Sequence, residues 1–496
     1  MSSHQVHQDD SNNQEHSEKD DGRESSGRII TASLERPMSE SVLKFAFIVH
    51  PLTVLFIKKH PLFKRLQFLP DALIERSVSK LPPRVLSKIV GGYSAKTGQR
   101  IEGLLMTLFS TPRVMVGRKP EITYNKIVHA AKMAHKWGAQ VMGLGAFTSV
   151  VGDAGVTIAQ QSPIPVTTGN TLTVITALET VERALEKLDQ KVTHAMVIGA
   201  TGSIGSACAR MLARQEGVSV VLVAPKMEKL VALRDCILQE TPDAHILMDT
   251  SPDTHAPDCN AIITTTSAFG QRVIDMSTLR PGAVVCDVAR PTDVAPEEAA
   301  LRQDVIVIES GEVLLPPGTV DIGYNIGLPR HVAYACLAET ALLAMDHRFE
   351  SYSLGRSFEL EKIVQLRKLY KEHGLQLAPF RQTDGSALTG KDFHRVKSLA
   401  DDLLQNDERL KELLENTAKA LETIVPSAKG VKIKKTNPQK KNGRRKPALP
   451  DGIHTNCRHV EHQSFCLRLH KFIRRQQTPP LQIPNMVKQL LRHHRP

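Results

Sequence analysis

Short apolar runs alternate with stretches of helical length through the middle of the chain. Strand patterns lie at Gln140–Leu144, Val218–Val223, Ala261–Ile263, Ala283–Val285 and Val305–Ile308. Strands separated by helical lengths are typical of a parallel sheet covered by helices. The pattern therefore predicts an α/β fold.

Two stretches have apolar positions at helical spacing. They are Thr171–Leu188 and the segment LADDLLQNDERLKELLENTAKALETIV, which lies between Phe380 and Pro426. A period near 3.6 with charges between the apolar positions predicts one amphipathic helix in each stretch. We expect the second helix to pack on the body of the protein or on a partner.

The run Met196–Arg210, MVIGATGSIGSACAR, passes from a strand pattern through glycines into a helix pattern. Glycines let the backbone turn tightly and approach a pyrophosphate at the helix N-terminus, where free N–H groups favour an anion. This context predicts a dinucleotide-binding turn and an NAD(P)-binding Rossmann domain. The cofactor-binding residues predicted in the turn are Gly199, Thr201, Gly202, Ser203, Ile204 and Gly205.

Polar residues also follow the later strands of the predicted sheet. Ligands of parallel sheets lie beyond the carboxyl ends of the strands. We therefore predict that the cofactor crevice is lined by Thr265, Thr266, Ser267 and Asp287, the last in the loop DVARP (Asp287–Pro291). Ordinary turn chemistry explains these residues equally well.

The end of the strand Val218–Val223 bears on the choice between NAD and NADP. NAD-dependent enzymes commonly have an acid at this position, whereas this chain continues Ala224-Pro225-Lys226. A lysine accepts the 2′-phosphate of NADP, which an acid would repel, so the sequence favours NADPH. The alternative is that Lys226 is an ordinary solvated loop residue.

Several separated motifs together resemble one family. The motifs are KFAFIVHPLT (Lys44–Thr53), GLGAFTSVVG (Gly143–Gly152), TTGNTLT (Thr167–Thr173), GATGSIGSA (Gly199–Ala207), and YACLAETALL followed by SYSLGR within Tyr334–Arg356. In this order, from about Lys44 to Phe380, the chain resembles the cyanobacterial long-chain acyl-[acyl-carrier-protein] reductases or a close sister subfamily. It departs from them in both terminal extensions and in the DVARP loop.

The resemblance implies NADPH-dependent reduction of a fatty acyl thioester, on acyl-carrier protein or coenzyme A, to a fatty aldehyde. It also implies a cysteine thioester intermediate, and the nucleophile falls on Cys336. From its own surroundings, a cysteine inside HVAYACLAETALLAM is equally typical of a small buried apolar residue. Glu339 shares its helical face and would raise the pKa of the thiol, so any activating base or cation must come from elsewhere.

Three polar residues are predicted to bind substrate. Thr148 and Ser149, after the strand Gln140–Leu144, could bond the thioester carbonyl or its oxyanion, and loop capping is the alternative. Asn170 precedes the helix pattern at Thr171–Leu188, so it or a neighbouring threonine also suits the N-cap of that helix.

Composition indicates the number of domains and the class of protein. The chain has 496 residues, of which 41% are hydrophobic, enough for two domains with extensions. The first forty residues are polar and unlike a signal peptide, and the apolar segment Lys44–Ile57 is broken by His50 and Pro51 and too short to span a bilayer. Seven cysteines without CxxC spacing favour free thiols in the cytoplasm.

The net charge of +12 is concentrated in the C-terminal tail. From Pro426 onward we count seventeen Lys and Arg against two acids. The KIKK and KKNGRRK runs could hold nucleic acid or an anionic surface, or could simply be solvated. The tail also contains several histidines and cysteines, which are residue types that bind metals: His454, Cys457, His459, His462, Cys466 and His470. Their spacing matches no standard zinc motif, so we predict no metal site.

We therefore predict a Rossmann domain with an N-terminal α/β substrate domain and C-terminal helices that cover the active-site cleft. The predicted segments are a disordered extension (1–43), the substrate domain (44–168), the Rossmann domain with the cysteine helix (169–345), a helical region (346–425) and a disordered basic tail (426–496).

Two other readings of the chain remain open. A shikimate-dehydrogenase-like or amino-acid dehydrogenase would transfer hydride directly, but it typically needs a lysine and aspartate pair that the substrate domain does not clearly show. The second alternative is a non-enzymatic nucleotide-binding protein with a basic recruitment tail.

Overall fold

The computed structural model describes residues 42–424, apart from 60–67, 150, 269–270, 317–319 and 358. Its first sheet has the order β2-β3-β1-β4-β5, with β2 antiparallel to β3 and the other pairs parallel. The strands are β1 (Leu43–Val49), β2 (Arg84–Tyr93), β3 (Arg100–Thr107), β4 (Val141–Leu144) and β5 (Val166–Thr167). The accompanying helices are α1 (Val54–Lys59), α2 (Asp71–Val78), α3 (Pro112–Val116), α4 (Pro120–Trp137) and α5 (Val156–Gln161).

The second sheet is six-stranded and fully parallel. After α6 (Asn170–Glu186) come β6 (His194–Ile198), α7 (Ser203–Ala213), β7 (Ser219–Val223), α8 (Met227–Glu240), β8 (His245–Asp249), β9 (Ala261–Thr264), β10 (Val284–Asp287), α9 (Pro296–Ala299) and β11 (Ile306–Glu309). The order β8-β7-β6-β9-β10-β11 reverses direction between β6 and β9, as in a Rossmann fold. This topology confirms the predicted fold class.

A small third sheet and four helices complete the described chain. The sheet joins β12 (Glu312–Leu314), β13 (Val332–Tyr334) and β14 (Gln376–Leu377), and the helices are α10 (Ala335–Met345), α11 (Leu360–Glu372), α12 (Gly390–Leu404) and α13 (Asp407–Thr423). The single helix predicted for the segment LADDLLQNDERLKELLENTAKALETIV is wrong. The chain breaks after α12 because the Asn406 side chain caps α13, accepting the Arg409 N–H at 3.0 Å.

Helices α6 and α10 join the two large sheets. Helix α10 contacts β1, β3 and β4 of the first sheet, and α6 contacts α10 as well as α7, β9 and β10 of the second. Apolar side chains from both sheets therefore form one continuous core, which includes Phe47, Val197 and Leu342. The boundary at 345 groups α10 with the Rossmann segment along the chain, whereas in space α10 lies against the first sheet.

The predicted extension lies outside the described residues except for its last two, and the predicted tail, with its cysteines and histidines, lies wholly outside them. Within the described part, no helix combines the length and apolar character that a bilayer crossing requires. The cysteines described there are all free thiols, at Cys208, Cys236, Cys259, Cys286 and Cys336.

Candidate active site

The glycine turn joins the carboxyl end of β6 to the amino end of α7. Gly199 has a φ of 83°, a left-handed conformation that favours glycine. A Cβ on Gly205 would lie 2.5 Å from the Gly199 carbonyl oxygen, so the first turn of α7 packs directly on the loop. Helix α7 begins at Ser203 after its N-cap Gly202, which has no capping side chain, so the first turn of the helix has the free N–H groups that an anion site requires.

The residues after β9 divide into distinct roles. Thr265 donates its hydroxyl to the Ile198 carbonyl at 3.1 Å and so braces the glycine turn. Thr266 bonds the carboxylate of Asp293 through both its hydroxyl, at 2.5 Å, and its N–H, at 3.0 Å. Ser267 is exposed, and Thr201 and Ile204 are partly buried beside the turn. Thr265 and Thr266 thus follow β9 directly beside the end of β6 and its glycine turn, and contact of these residues with a cofactor stays a prediction.

Asp287 ends β10 and organises the loop that follows it. Its buried carboxylate accepts the N–H groups of Ala289 at 3.0 Å, Asp293 at 2.7 Å and Val294 at 2.9 Å. Burial, with the nearby Asp293 charge, raises the pKa of Asp287 to about 7. The same loop carries Arg290, whose guanidinium lies 5.7 Å from the centre of the Tyr334 ring, just before α10. The DVARP loop thus touches the strand that leads into the cysteine helix.

Lys226 lies in the loop after β7 and is exposed. It occupies the position where the sequence predicts contact with the cofactor ribose. The close-packed glycines, the uncapped amino end of α7 and this cation fit a dinucleotide phosphate chain. In the described part of the chain, no group of three or more metal-ligand side chains is arranged to hold a metal ion.

Cys336 is the second residue of α10 and is partly buried. A Cβ on Gly169 would lie 2.3 Å from the Cys336 Cβ, so glycine is required where the loop after β5 meets the cysteine. Burial raises the pKa of the thiol to about 11, and the Glu339 charge adds to this rise. The backbone amides of Ala146, Leu337 and Cys336 itself act in the opposite direction, because their hydrogen bonds stabilise the thiolate.

A short 3-10 turn, Ala146–Ser149, holds the Ala146 amide beside the sulfur. Thr148 donates its hydroxyl to the Gly145 carbonyl at 2.7 Å, and Ser149 donates to the Ala146 carbonyl at 2.5 Å. Both hydroxyls therefore cap their own turn, the alternative that the sequence left open. Their contact with substrate stays a prediction.

His50 supports the same turn from the end of β1. Its Nε2 accepts the Phe147 N–H at 3.0 Å, while Nδ1–H donates to the Pro51 carbonyl at 3.1 Å, the tautomer that these partners require. Burial lowers the pKa of His50 to about 4, so the ring is neutral at neutral pH. His50 therefore positions the loop that carries the Ala146 amide.

Asn170 is the first residue of α6 and does not cap it. The N-cap is Gly169, with a φ of 74°, so the predicted N-cap role of Asn170 is wrong. The cause is the close approach of Cys336, which allows only glycine at the cap. The Asn170 amide instead reaches the Ser203 hydroxyl of α7 at 3.5 Å. Substrate contact by Asn170 stays a prediction.

Sequence reasoning missed His50, Gly169 and Ser353 and gave Glu339 only an unfavourable effect on the thiol. Ser353 donates to the Glu339 carboxylate at 2.7 Å. All four residues lie inside the quoted motifs, which was the available signal. Their contacts could not be inferred, because each joins segments that are distant along the chain.

Comparison with known proteins gives two sequence relatives of interest. The chain is 29% identical over 346 residues to "Aminotransferase PigE" of Serratia sp. (strain ATCC 39006), covering 68% of this chain and 40% of PigE. It is 27% identical over 315 residues to the "Long-chain acyl-[acyl-carrier-protein] reductase" of Synechococcus elongatus, covering 60% of this chain and 88% of the reductase. The chain thus spans well under half of PigE and most of the reductase.

Solved structures match more weakly. Quinate dehydrogenase from Corynebacterium glutamicum, in complex with NAD, gives a TM-score of 0.32 at 10% identity and covers 66% of this chain and 99% of that one. L-tryptophan dehydrogenase from Nostoc punctiforme gives 0.29 at 9% identity, covering 77% and 89%. No family model matches the chain.

Proposed function

We propose that this protein is an oxidoreductase that reduces a fatty acyl thioester to a fatty aldehyde, using NADPH and a thioester intermediate on Cys336. The acyl donor is a thioester of acyl-carrier protein or of coenzyme A. The similarity to the Synechococcus reductase supports this proposal because it extends over 88% of that protein's length.

One observation carries the proposal. Gly169 packs against Cys336, and the next residue, Asn170, reaches Ser203 at the amino end of α7. Two consecutive residues therefore link the candidate nucleophile to the candidate dinucleotide turn. A covalent reductase needs this adjacency, because its bound acyl group must meet the hydride donor.

The first chemical step falls to Cys336. Its sulfur attacks the thioester carbonyl, the carrier sulfur leaves, and the proton lost by Cys336 balances the proton gained by the departing thiol. The amides of Ala146, Leu337 and Cys336 favour negative charge at this position. They offset part of the cost that burial and Glu339 impose on the thiolate.

The second step reduces the enzyme-bound thioester. NADPH, when bound, supplies the hydride. The resulting thiohemiacetal on Cys336 takes up one proton overall, and its C–S bond then breaks to release the aldehyde and regenerate the cysteine. This chain's glycine turn and Lys226 hold the cofactor, while Gly169 and the Ala146 turn keep the acylated sulfur in place.

The covalent step can be tested by intact-mass analysis. The full chain is incubated with a long-chain acyl thioester without NADPH, with a Cys336→Ala variant as matched control. We expect one added acyl group on the parent chain, none on the variant, and loss of the adduct with release of aldehyde when NADPH is added. An adduct of equal yield on the variant, or none on either chain, would contradict the proposal.

A further inference from the structure

Glu339 is a fully buried carboxylate one helical turn after Cys336 on α10. Its Oε1 accepts the hydroxyl groups of Thr167 and Ser353, the latter at 2.7 Å, and its Oε2 accepts the Leu172 N–H at 2.8 Å. These donors lie in three separate segments: β5, the first turn of α6, and the loop after α10. A single carboxylate therefore holds the cysteine helix to all three.

The directions of these hydrogen bonds follow from the backbone amides, which can only donate. Thr167 Oγ1 accepts the Gly169 N–H at 3.2 Å, and Ser353 Oγ accepts the Thr171 N–H at 3.3 Å. Each hydroxyl is thereby free to pass its own hydrogen to Glu339. Burial raises the pKa of Glu339, and the hydrogen bonds that it accepts lower it. Because every partner of the carboxylate is a donor, its oxygens are satisfied in the ionised form, which the amino end of α6 also favours.

We propose that Glu339 is the positioning residue for Cys336. Its ionised carboxylate fastens α10 to the amino end of α6 and thereby holds Cys336 against Gly169 and beside the Ala146 amide. This inference rests on the proposed function. It assigns Glu339 no contact with substrate or cofactor; the residue acts through the placement and charge environment of the sulfur.

The charge of Glu339 provides a measurable signature. Burial is the main cause of the raised pKa of Cys336; the Leu337 amide opposes it, and the Glu339 charge raises the pKa further. Among the residues that the structure describes, Tyr334 also interacts with Cys336, and Tyr352 interacts with Glu339; burial raises the pKa of both tyrosines. Removing the Glu339 charge should therefore lower the pKa of Cys336, whereas a purely structural role for Glu339 predicts no such movement.

The experiment measures alkylation of Cys336 by iodoacetamide from pH 7 to 10.5 in the full chain, read on the cysteine's own peptide by mass spectrometry. The bend in the plot of alkylation rate against pH marks the pKa of Cys336. In Glu339→Gln we expect this bend to lie about one pH unit lower, with about tenfold faster alkylation at pH 8. Greater exposure of Cys336 alone would raise the alkylation rate at every pH without moving the bend. The matched control is Glu298→Gln, another buried carboxylate, bonded to Arg272, which should leave the profile unchanged. An unmoved bend in Glu339→Gln, or an equal shift in the control, would overturn the proposal.

Thr167→Val and Ser353→Ala extend the test if Glu339→Gln folds poorly, because each removes one donor and leaves the carboxylate. We expect kcat for aldehyde formation to fall about tenfold, with KM for the acyl thioester and affinity for NADPH within about twofold. A raised KM with unchanged kcat would contradict positioning. Alkylation needs neither thioester nor NADPH, so failure of the proposed function would be seen separately, as aldehyde formation by Cys336→Ala.

Discussion

The molecule uses two helix N-termini in different ways. The amino end of α7 is built from one continuous stretch, Gly199–Gly205, with Thr265 as a brace from β9. The amino end of α10 is surrounded by the Ala146 turn, the loop after β5 and Ser353, which lie far apart along the chain. The first site is a local motif, whereas the second exists only once both sheets have packed together.

This difference separates what each site tolerates. A local turn retains its shape as long as its glycines remain, so changes there should affect cofactor binding alone. An assembled site depends on contacts from several segments, so small changes in any of them should reach the sulfur.

The largest effect is expected at Cys336. Cys336→Ala should reduce aldehyde formation by more than about a thousandfold, because the proposed mechanism carries the acyl group on the Cys336 sulfur. Cys336→Ser should be nearly as damaging. NADPH binding and the unfolding midpoint should change little, since little volume is lost. The measurements are steady-state kinetics and a fluorescence titration with NADPH, and substantial activity in the alanine variant would favour direct hydride transfer instead.

Gly169→Ala tests the assembled site through its backbone. The new Cβ would lie 2.2 Å from the Cys336 Cα, and the φ of 74° adds strain. We expect loss of most activity and destabilisation of roughly 2–4 kcal/mol. Gly217→Ala is the matched control, because Gly217 has a φ of 75° but no atom within 4 Å of a new Cβ. Gly217→Ala should lower the free energy of unfolding, measured by chemical denaturation, by only about 1 kcal/mol. Equal destabilisation of both variants would show that the contact with Cys336 is not the cause.

His50 should make the assembled site sensitive to acid. Its pKa of about 4 in the folded state lies below the unfolded value of 6.5, so protonation favours the unfolded chain. Stability present above pH 6.5 is lost as the pH falls towards 4, by about 2 kcal/mol at pH 5. His50→Gln keeps an acceptor for the Phe147 N–H and does not titrate. Its stability should therefore fall less between pH 7 and pH 5, and an identical fall in both proteins would contradict the assignment.

Lys226→Glu tests the predicted cofactor site at the glycine turn. The parent chain should bind NADPH more tightly than NADH, and the variant should lose about tenfold of that preference because the acid repels the 2′-phosphate. Acylation of Cys336 without cofactor should be unchanged. Equal affinities of the parent chain for both cofactors would refute the prediction.

The smallest effect is expected from removing the tail. Leu421 on α13 is buried against the second sheet, and α13 ends at Thr423. A chain that ends after Val425 should therefore keep this packing, its unfolding midpoint and its activity. Loss of folding on truncation would show that the tail is structural.

The sequence predicted five of the six strands of the Rossmann sheet, because these strands are continuous apolar runs, and it predicted the glycine turn, because that motif is local. It missed β8, which is only partly buried and has polar residues at both ends. Cys336 was reached only through family resemblance, since its neighbours Ala146 and Gly169 come from other segments. The N-cap prediction at Asn170 failed because tertiary contact with Cys336 selects glycine at the preceding position. The C-terminal helix prediction failed for a local reason: the Asn406 cap interrupts an apolar period that continues on both sides.

The raised pKa of the Cys336 thiol also affects how fast peroxide oxidises the protein. With burial raising its pKa to about 11, Cys336 at pH 7 holds only about one thiolate per ten thousand molecules. Peroxide oxidises the thiolate form, and the first product, a sulfenic acid, leads on to irreversible states. A cysteine that is protonated at rest is therefore oxidised slowly by peroxide. If Cys336 is the nucleophile that we propose, peroxide should inactivate the protein slowly even without a partner thiol to repair it.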